Sequence, residues 1–413
     1  MQRASEQESP DSKNQEQRVS LLFLALAFLK VGLTAWGGFM ALVSIVQGLL
    51  VERRRLLTAE EMLDGISLGQ LLPGPMAVNV VSYAGYRLGR GAGALVSATA
   101  VLLPSFFLVI GLTWVWMNYG NIPAIDSAMA GFPPAIAAII ISAGLGMAKK
   151  SLAGRTEVLL AVSSAGLLIT VGGFYLTISV IAVAACVGQI LWFRRSATMN
   201  PVPATRPPVS MASLLKWGSV TLFLLILLAA FLLFAEHPVL LEYPLLHLFS
   251  LFGGMSLMLF GGGFVFIPMI QETVVGNLQW ITAEEFSTAL AIGQVTPGPI
   301  LVSATVIGFR LHGLAGALVA TVGIFLPPSL LMIMASQALE TIKGSPAVQA
   351  SLRGIRAAIT GLVFAASVTV MKTATAEWPV AVIFFGSLVS LIRFRIDVIW
   401  IIPAAGLLGL WLL

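Results

Sequence analysis

Charged residues are scarce in this sequence. Asp, Glu, Lys and Arg make up 10% of its 413 residues, whereas soluble domains usually carry about 25%. Hydrophobic residues make up 58% of the chain. This composition excludes an ordinary soluble domain and predicts a multi-pass membrane protein. We expect an all-α fold, because a helix satisfies its own backbone hydrogen bonds inside the hydrocarbon of a bilayer.

Cysteine and histidine are scarce as well. The single cysteine, Cys186, excludes an intramolecular disulfide and argues against a cysteine metal cluster. The three histidines do not fall at ligand spacing, so we expect no metal site. The glycine-rich stretches lack the lysine and hydroxyl residue of a phosphate-binding loop, and the sequence offers no nucleophile–base pair. We therefore expect no enzyme activity, no cofactor and no nucleic-acid partner.

One unit occurs twice along the chain. Residues 58–61, Thr-Ala-Glu-Glu, recur 224 positions later at 282–285, and Pro73-Gly74-Pro75 recurs at the same offset as Pro297-Gly298-Pro299. Further along, the offset is 223. Matched pairs at one offset or the other include Gln70 and Gln294, Asn79 and Ser303, Arg87 and Arg310, Pro104 and Pro327, and Lys149 and Lys372.

The repeat predicts how the chain is divided. Two transmembrane repeats occupy residues 19–194 and 245–413, and a polar, proline-rich linker at 195–244 contains one further apolar helix at 217–235. That helix is long enough for about one crossing of a bilayer core. Residues 1–18 are polar and mixed in charge, which predicts a cytoplasmic tail rather than a signal peptide.

Both Pro-Gly-Pro stretches lie in the middle of apolar segments. Proline and glycine at that density end a helix. A helix that ends inside hydrocarbon leaves backbone groups without partners, so this backbone must line a cavity buried in protein. The glycine pairs Gly37-Gly38 and Gly261-Gly262 predict two further breaks. We expect each repeat to contain two broken, re-entrant helical hairpins and about four membrane-spanning helices.

The distribution of Lys and Arg predicts orientation. If the first two segments of each repeat are re-entrant hairpins, the basic residues of the first copy all fall on the cytoplasmic side. Full crossings would instead place Arg53, Arg54 and Arg55 outside. With hairpins, the linker helix inverts the second copy, so that the amino terminus lies in the cytoplasm and the carboxyl terminus outside. Inverted repeats with broken helices are typical of secondary transporters, which bind substrate near the midplane.

The breaks suit an anion. A half-helix that starts after a break presents free N–H groups and the positive end of its dipole. Arginine adds a planar fork of donors for an oxyanion. The predicted substrate-binding residues are Gly37, Gly38, Gln70, Pro73, Gly74, Pro75, Asn79 and Arg87 in the first copy, and Gly261, Gly262, Gln294, Pro297, Gly298, Pro299, Ser303 and Arg310 in the second.

Four further charged residues are candidates for coupling transport to a second ion. Lys30 is the only charge in its apolar run, and Asp64 is a candidate partner, although snorkelling of Lys30 to the interface explains it as well. Glu61 and Glu285 are candidate proton carriers. Each also stands three residues after a threonine, which is capping-box spacing, and we favour that interpretation.

These motifs, taken in order and found twice, resemble the chromate ion transporter (CHR) family in its long, two-domain form. In the first half the resemblance rests on Trp36-Gly37-Gly38, residues 51–55, Leu72-Pro73-Gly74-Pro75, Gly89 with Gly93-Ala94, and Pro104. In the second half it rests on Gly261-Gly262, residues 282–286, Pro297-Gly298-Pro299 and Pro327. It implies an inner-membrane bacterial carrier that expels chromate and confers chromate resistance, with sulfate as a competing analogue. The chain departs from the family pattern at Phe39 and Gly263, where the family usually has proline.

Several functions remain open from the sequence. The first is an oxyanion carrier that exports chromate by proton coupling or anion exchange. The second is a carrier for sulfate or another anion, and the third is an anion channel. Clustering of polar groups at two breaks favours a carrier, since a channel needs a continuous polar path. The lipid bilayer is an expected partner, and the sequence leaves a homodimer open.

Overall fold

A computed structural model describes residues 19–35, 38–120, 122–171, 174–199, 243–259, 266–337, 346–372, 374–375 and 377–413. These residues are helical almost throughout and include no strand. The first half comprises α1 (Leu21–Thr34), α2 (Gly38–Gln47, continued by a π-helical turn Gly48–Arg53), α3 (Ala59–Leu71), α4 (Met76–Tyr119), α5 (Pro123–Ala130), α6 (Phe132–Ser151), α7 (Arg155–Thr170) and α8 (Phe174–Met199).

The second half contains a similar but not identical series of elements. It comprises α9 (Pro244–Ser256), α10 (Phe266–Ile270, continued by a π-helical turn Gln271–Asn277), α11 (Ala283–Val295), a 3₁₀ turn (Ile300–Val302), α12 (Ser303–Gln337), α13 (Pro346–Met371), α14 (Trp378–Ile392) and α15 (Val398–Leu412). Five helices among the described residues are long and apolar enough to cross a membrane: Met76–Tyr119, Pro123–Ser151, Leu176–Phe193, Ile300–Gln337 and Pro346–Met371. The predicted all-α, multi-pass membrane fold is therefore confirmed.

The long helices α4 and α12 each fold back on themselves. The backbone leaves helical geometry at Gly89 and Arg90 in α4, and at His312 and Gly313 in α12. A Cβ placed on Gly85 would lie 2.5 Å from the carbonyl oxygen of Gly93. Residues eight apart in a straight helix are separated by about 12 Å, so the chain reverses there. We name the resulting segments α4a (76–88), α4b (91–119), α12a (303–311) and α12b (314–337).

Helices α3 and α4a form an antiparallel hairpin with its tip at residues 72–75. The ion pair of Glu61 with Arg87 joins the two open ends, and Gly65 packs directly against the ring of Tyr83. Helices α11 and α12a repeat the arrangement, with an ion pair between Glu285 and Arg310 at 3.0 Å. Each hairpin therefore begins and ends at the same level, as a re-entrant segment requires.

Small residues let the two halves pack closely. A Cβ on Gly131 would lie 2.2 Å from the carbonyl oxygen of Ala405, and one on Gly354 would lie 2.0 Å from that of Ala184. Close backbone approach at small residues is a common way for helices to associate in membranes. The contacts join α5–α6 to α15 and α13 to α8, so helices of one half are seated among helices of the other.

Some predictions fall on residues that the structure leaves undescribed. They are the tail at 1–18, most of the linker with its helix at 217–235, and the glycines Gly37, Gly261 and Gly262. The opposite orientation of the two repeats in a membrane also stays a prediction.

Candidate functional site

The first Pro-Gly-Pro stretch forms the tip of the α3–α4a hairpin. Helix α3 ends at Leu71, and α4a begins at Met76 with Pro75 as its N-cap residue. Gly74 has a φ of +108°, which only glycine adopts without strain. Pro73, Gly74 and Pro75 are all buried.

The second tip repeats this geometry. Gly298 has a φ of +121°, and Pro299 is the N-cap residue of the 3₁₀ turn that leads into α12a. The two sequences therefore turn in the same way at matched positions, although one tip follows Leu72 and the other Thr296. Thr296 supplies one local difference, because its hydroxyl donates to the carbonyl of Gly293 at 3.1 Å.

Each tip packs against a long helix of the opposite half. A Cβ on Gly74 would lie 2.2 Å from Cβ of Pro328 on α12b, and one on Gly298 would lie 2.7 Å from Oγ of Ser105 on α4b. Ser105 and Pro328 are themselves matched at the offset of 223. Both tips therefore reach the region where α4 and α12 pack together.

The proline carbonyls of both tips already have donors. Nδ2 of Asn79 donates to the carbonyl of Pro73 at 3.1 Å, and the Ser105 hydroxyl donates to the carbonyl of Pro297. The N–H of Gly74 donates to the carbonyl of Leu259 at 2.5 Å, which ties the first tip to the segment that precedes Gly261 and Gly262. Oxygens engaged in this way are poor ligands for a cation.

The amides that follow the first tip are placed differently. Met76, Ala77 and Val78 are buried and stand in the first turn of α4a, where an N–H has no acceptor within its own helix. Buried N–H groups require partners, and the helix dipole adds positive potential at this end. The first tip therefore offers an environment for an anion rather than a cation.

Two polar atoms beside the tips have no hydrogen-bond partner among the described residues. They are Oδ1 of the fully buried Asn79 and Nε2 of Gln294. The Gln294 amide is a donor that suits an anion. Because Nδ2 of Asn79 must face the Pro73 carbonyl, its free Oδ1 accepts, and suits a bound water or a hydroxyl.

The other predicted tip residues are placed less symmetrically. Gln70 is exposed, and its main-chain carbonyl accepts a hydrogen bond of 3.3 Å from Nη2 of Arg356. Ser303 is fully buried, and its hydroxyl donates to the carbonyl of Ile300 at 2.9 Å. Gly38 is the first residue of α2. Arg356 lies inside α13 and was not among the site residues predicted from the sequence.

Arg87 and Arg310 stand at the open ends of the hairpins rather than at the tips. Twelve residues separate Arg87 from Pro75, about 18 Å along a helix. Each arginine pairs with the glutamate of its own hairpin. Arg310 and Glu285 also line a cavity of about 630 Å³, together with Thr288 and Trp116. The two arginines therefore lie at the hairpin openings and not beside the tips.

Glu61 and Glu285 complete capping boxes. Oε2 of Glu61 accepts from the Thr58 N–H at 2.9 Å, while the Glu61 N–H donates to Oγ1 of Thr58 at 3.1 Å. The same distances recur between Thr282 and Glu285. The predicted capping role is therefore confirmed for both glutamates.

Proton carriage by Glu61 is poorly supported by its surroundings. Burial by itself raises the pKa of its carboxyl, but the hydrogen bond from Thr58 and the Arg87 guanidinium together lower the pKa below its ordinary value. The carboxylate is thus charged at neutral pH, and its contacts weaken only when acid protonates it.

Lys30 lies exposed on α1, and Asp64 is partly buried on α3.

Comparison with known proteins gives consistent relatives along the whole chain. A chromate transport protein of Cupriavidus metallidurans is 29% identical over 399 residues, covering 94% of this chain and 92% of the relative. A chromate transport protein of Pseudomonas aeruginosa is 27% identical over 392 residues, covering 93% and 90%.

A shorter relative matches only part of the chain. An uncharacterized transporter of Bacillus subtilis, YwrA, is 26% identical over 168 residues, which cover 40% of this chain but 94% of that protein. No solved structure gives a significant match. The model of the chromate transporter family matches residues 22–241 and 246–410, and this chain therefore belongs to the chromate transporter family, whose members are transporters and not enzymes.

Proposed function

We propose that this protein is a secondary carrier that exports a tetrahedral oxyanion, chromate first among them, across the bacterial inner membrane. The anion binds where the tips at 73–75 and 297–299 reach the packed helices α4 and α12. Relatives named as chromate transport proteins support the substrate, and the chemistry of the tips supports an anion.

One observation carries this proposal. Both tips are buried by the opposite half of the chain, with their proline carbonyls capped by side-chain donors. The amides of the turn that follows the first tip are buried and lack acceptors in their own helix. Donors arranged in this way bind a dianion and exclude cations, as at other helix N-termini.

We also propose that the two repeats are inverted in the membrane. The amino terminus then lies in the cytoplasm, the carboxyl terminus lies outside, and the two hairpins enter from opposite faces. The excess of Lys and Arg on one side of the first repeat supports this orientation. The short Bacillus subtilis relative fits a transporter fold built from a single copy of the unit.

A carrier for sulfate is the second candidate, because the tips select for shape and charge that chromate and sulfate share. An anion channel is the third. Binding at two symmetry-related breaks favours alternating access, in which one repeat moves against the other around a fixed site. Transport is coupled to protons or to a counter-anion, with Lys30 and Asp64 as the candidate coupling groups.

Radiolabelled anion flux into everted membrane vesicles tests this function. We expect chromate uptake that saturates, is inhibited by sulfate and is accelerated by unlabelled chromate preloaded inside. A proton gradient that changes the initial rate identifies proton coupling. Uptake that does not saturate, accompanied by single-channel currents, would identify a channel instead. Sulfate uptake with chromate acting only as a weak inhibitor would transfer the function to the second candidate.

A further inference from the structure

Arg356 places a positive charge beside the first tip. It is the eleventh residue of α13, about 15 Å from the first residue of this membrane-spanning helix. Its side chain is partly buried, and Nη2 donates to the main-chain carbonyl of Gln70 at 3.3 Å. Gln70 is the last residue but one of α3 and stands four residues before Gly74, so the guanidinium lies next to the tip.

A second arginine, Arg353, lies one turn earlier on α13, and its charge is compensated by a glutamate. Arg353 donates to Oε1 of Glu157 through Nε at 2.8 Å and through Nη2 at 2.5 Å. Its guanidinium also lies 4.9 Å from the ring centre of Trp192. Glu157 is 1% exposed. The charge of Arg353 is therefore balanced by the carboxylate of Glu157.

Arg356 has no such compensation among the described residues. Among those residues its guanidinium donates to the neutral main-chain carbonyl of Gln70. A guanidinium carries five N–H donors. Arginine inside a membrane is costly, and it usually pairs with another group or serves function. The remaining donors match the bidentate geometry with which arginine binds an oxyanion.

We propose that Arg356 is the charged ligand that binds the transported oxyanion at the first tip. This inference rests on the proposed function. It also makes the site asymmetric, because the position matched to Arg356 in the first repeat, 223 residues earlier, is Pro133. In the proposed orientation the first hairpin opens to the cytoplasm, so Arg356 captures the anion from the side on which an exporter must collect it.

Replacing Arg356 tests this assignment in everted vesicles, whose outer face is the cytoplasmic one. For R356Q we expect the KM for chromate to rise at least tenfold while the protein still inserts. For R356K we expect an intermediate KM, because lysine keeps the charge and loses the planar fork. R393Q is the matched control, since Arg393 is exposed near the end of α14, and its KM stays that of the wild type.

The outcomes separate this inference from the function on which it rests. Wild-type vesicles that take up neither chromate nor sulfate would overturn the proposed function. Wild-type uptake with an unchanged KM in R356Q would overturn only the role of Arg356. If R356Q fails to insert, R356K decides, and a lysine variant with the KM of the wild type would contradict the bidentate contact.

Discussion

We expect Gly74→Val and Gly298→Val each to reduce transport to background while the protein still inserts into the membrane. Both glycines have φ values above +100°, a conformation that a β-branched residue adopts only with strain. At Gly74 the added Cβ would also lie 2.2 Å from a carbon of the buried Pro328 ring. The tip must then shift, and the amides that start α4a move with it. Initial rates of chromate uptake, normalised to the amount of inserted protein, measure the effect.

Alanine at the same two positions compares how much room each tip leaves for a Cβ. The atom nearest to a Cβ at Gly298 is the Ser105 hydroxyl, which can rotate away at the cost of its hydrogen bond to the Pro297 carbonyl. The Pro328 ring beside Gly74 cannot rotate in this way, so we expect G298A to retain more transport than G74A. G111A is the control, because a Cβ at Gly111 in α4b meets nothing within 4 Å. Normal transport in both valine variants would show that the tips do not form the site.

Loss of the Glu157 carboxylate has the largest expected effect on stability. Glu157→Ala leaves Arg353 charged beside an empty space. Breaking a fully buried ion pair costs about 3–5 kcal/mol, and we expect a smaller loss here because the Arg353 side chain is 33% exposed. We expect a clear fall in the thermal unfolding midpoint of the purified protein in detergent. Glu60→Ala is the matched control, because Glu60 is exposed at the start of α3 and such substitutions usually change stability by less than about 0.5 kcal/mol.

A double replacement distinguishes charge from packing at this pair. Replacing both Glu157 and Arg353 by methionine removes the unpaired charge, and apolar residues of similar volume often substitute for a buried ion pair at little cost. We expect the double variant to be more stable than Glu157→Ala. A double variant that is no more stable would show that packing around Trp192, rather than charge, sets the loss.

Local chemistry explains why the tips were predictable from the sequence. Proline and glycine constrain the backbone wherever they stand, so Pro73-Gly74-Pro75 and Pro297-Gly298-Pro299 identify matched breaks without knowledge of the fold. Capping boxes are local too, which is why Thr58 with Glu61 and Thr282 with Glu285 could be read from their spacing. Scarce charge and long apolar runs similarly predicted the class of protein.

Contacts between distant segments could not be predicted in this way. Ser105 and Pro328 touch the tips from helices about 190 to 250 residues away in the chain, and no periodic pattern records such a pairing. Arg356 was not predicted as a site residue, because Lys and Arg usually mark the ends of membrane segments. Its position inside α13 becomes evident only when that helix is seen to begin at Pro346 and to pass beside the first tip.

We propose above all that the two hairpins reach one oxyanion site from opposite faces of the membrane. Replacing Glu60 and Glu284 by cysteine, one at a time, tests this arrangement in a chain whose Cys186 is replaced by serine. The two glutamates are matched in the repeat and exposed at the two hairpin openings. A membrane-impermeant maleimide should label the Glu284 position in right-side-out vesicles and the Glu60 position in everted ones. Labelling of both positions from the same face would contradict this arrangement of the hairpins.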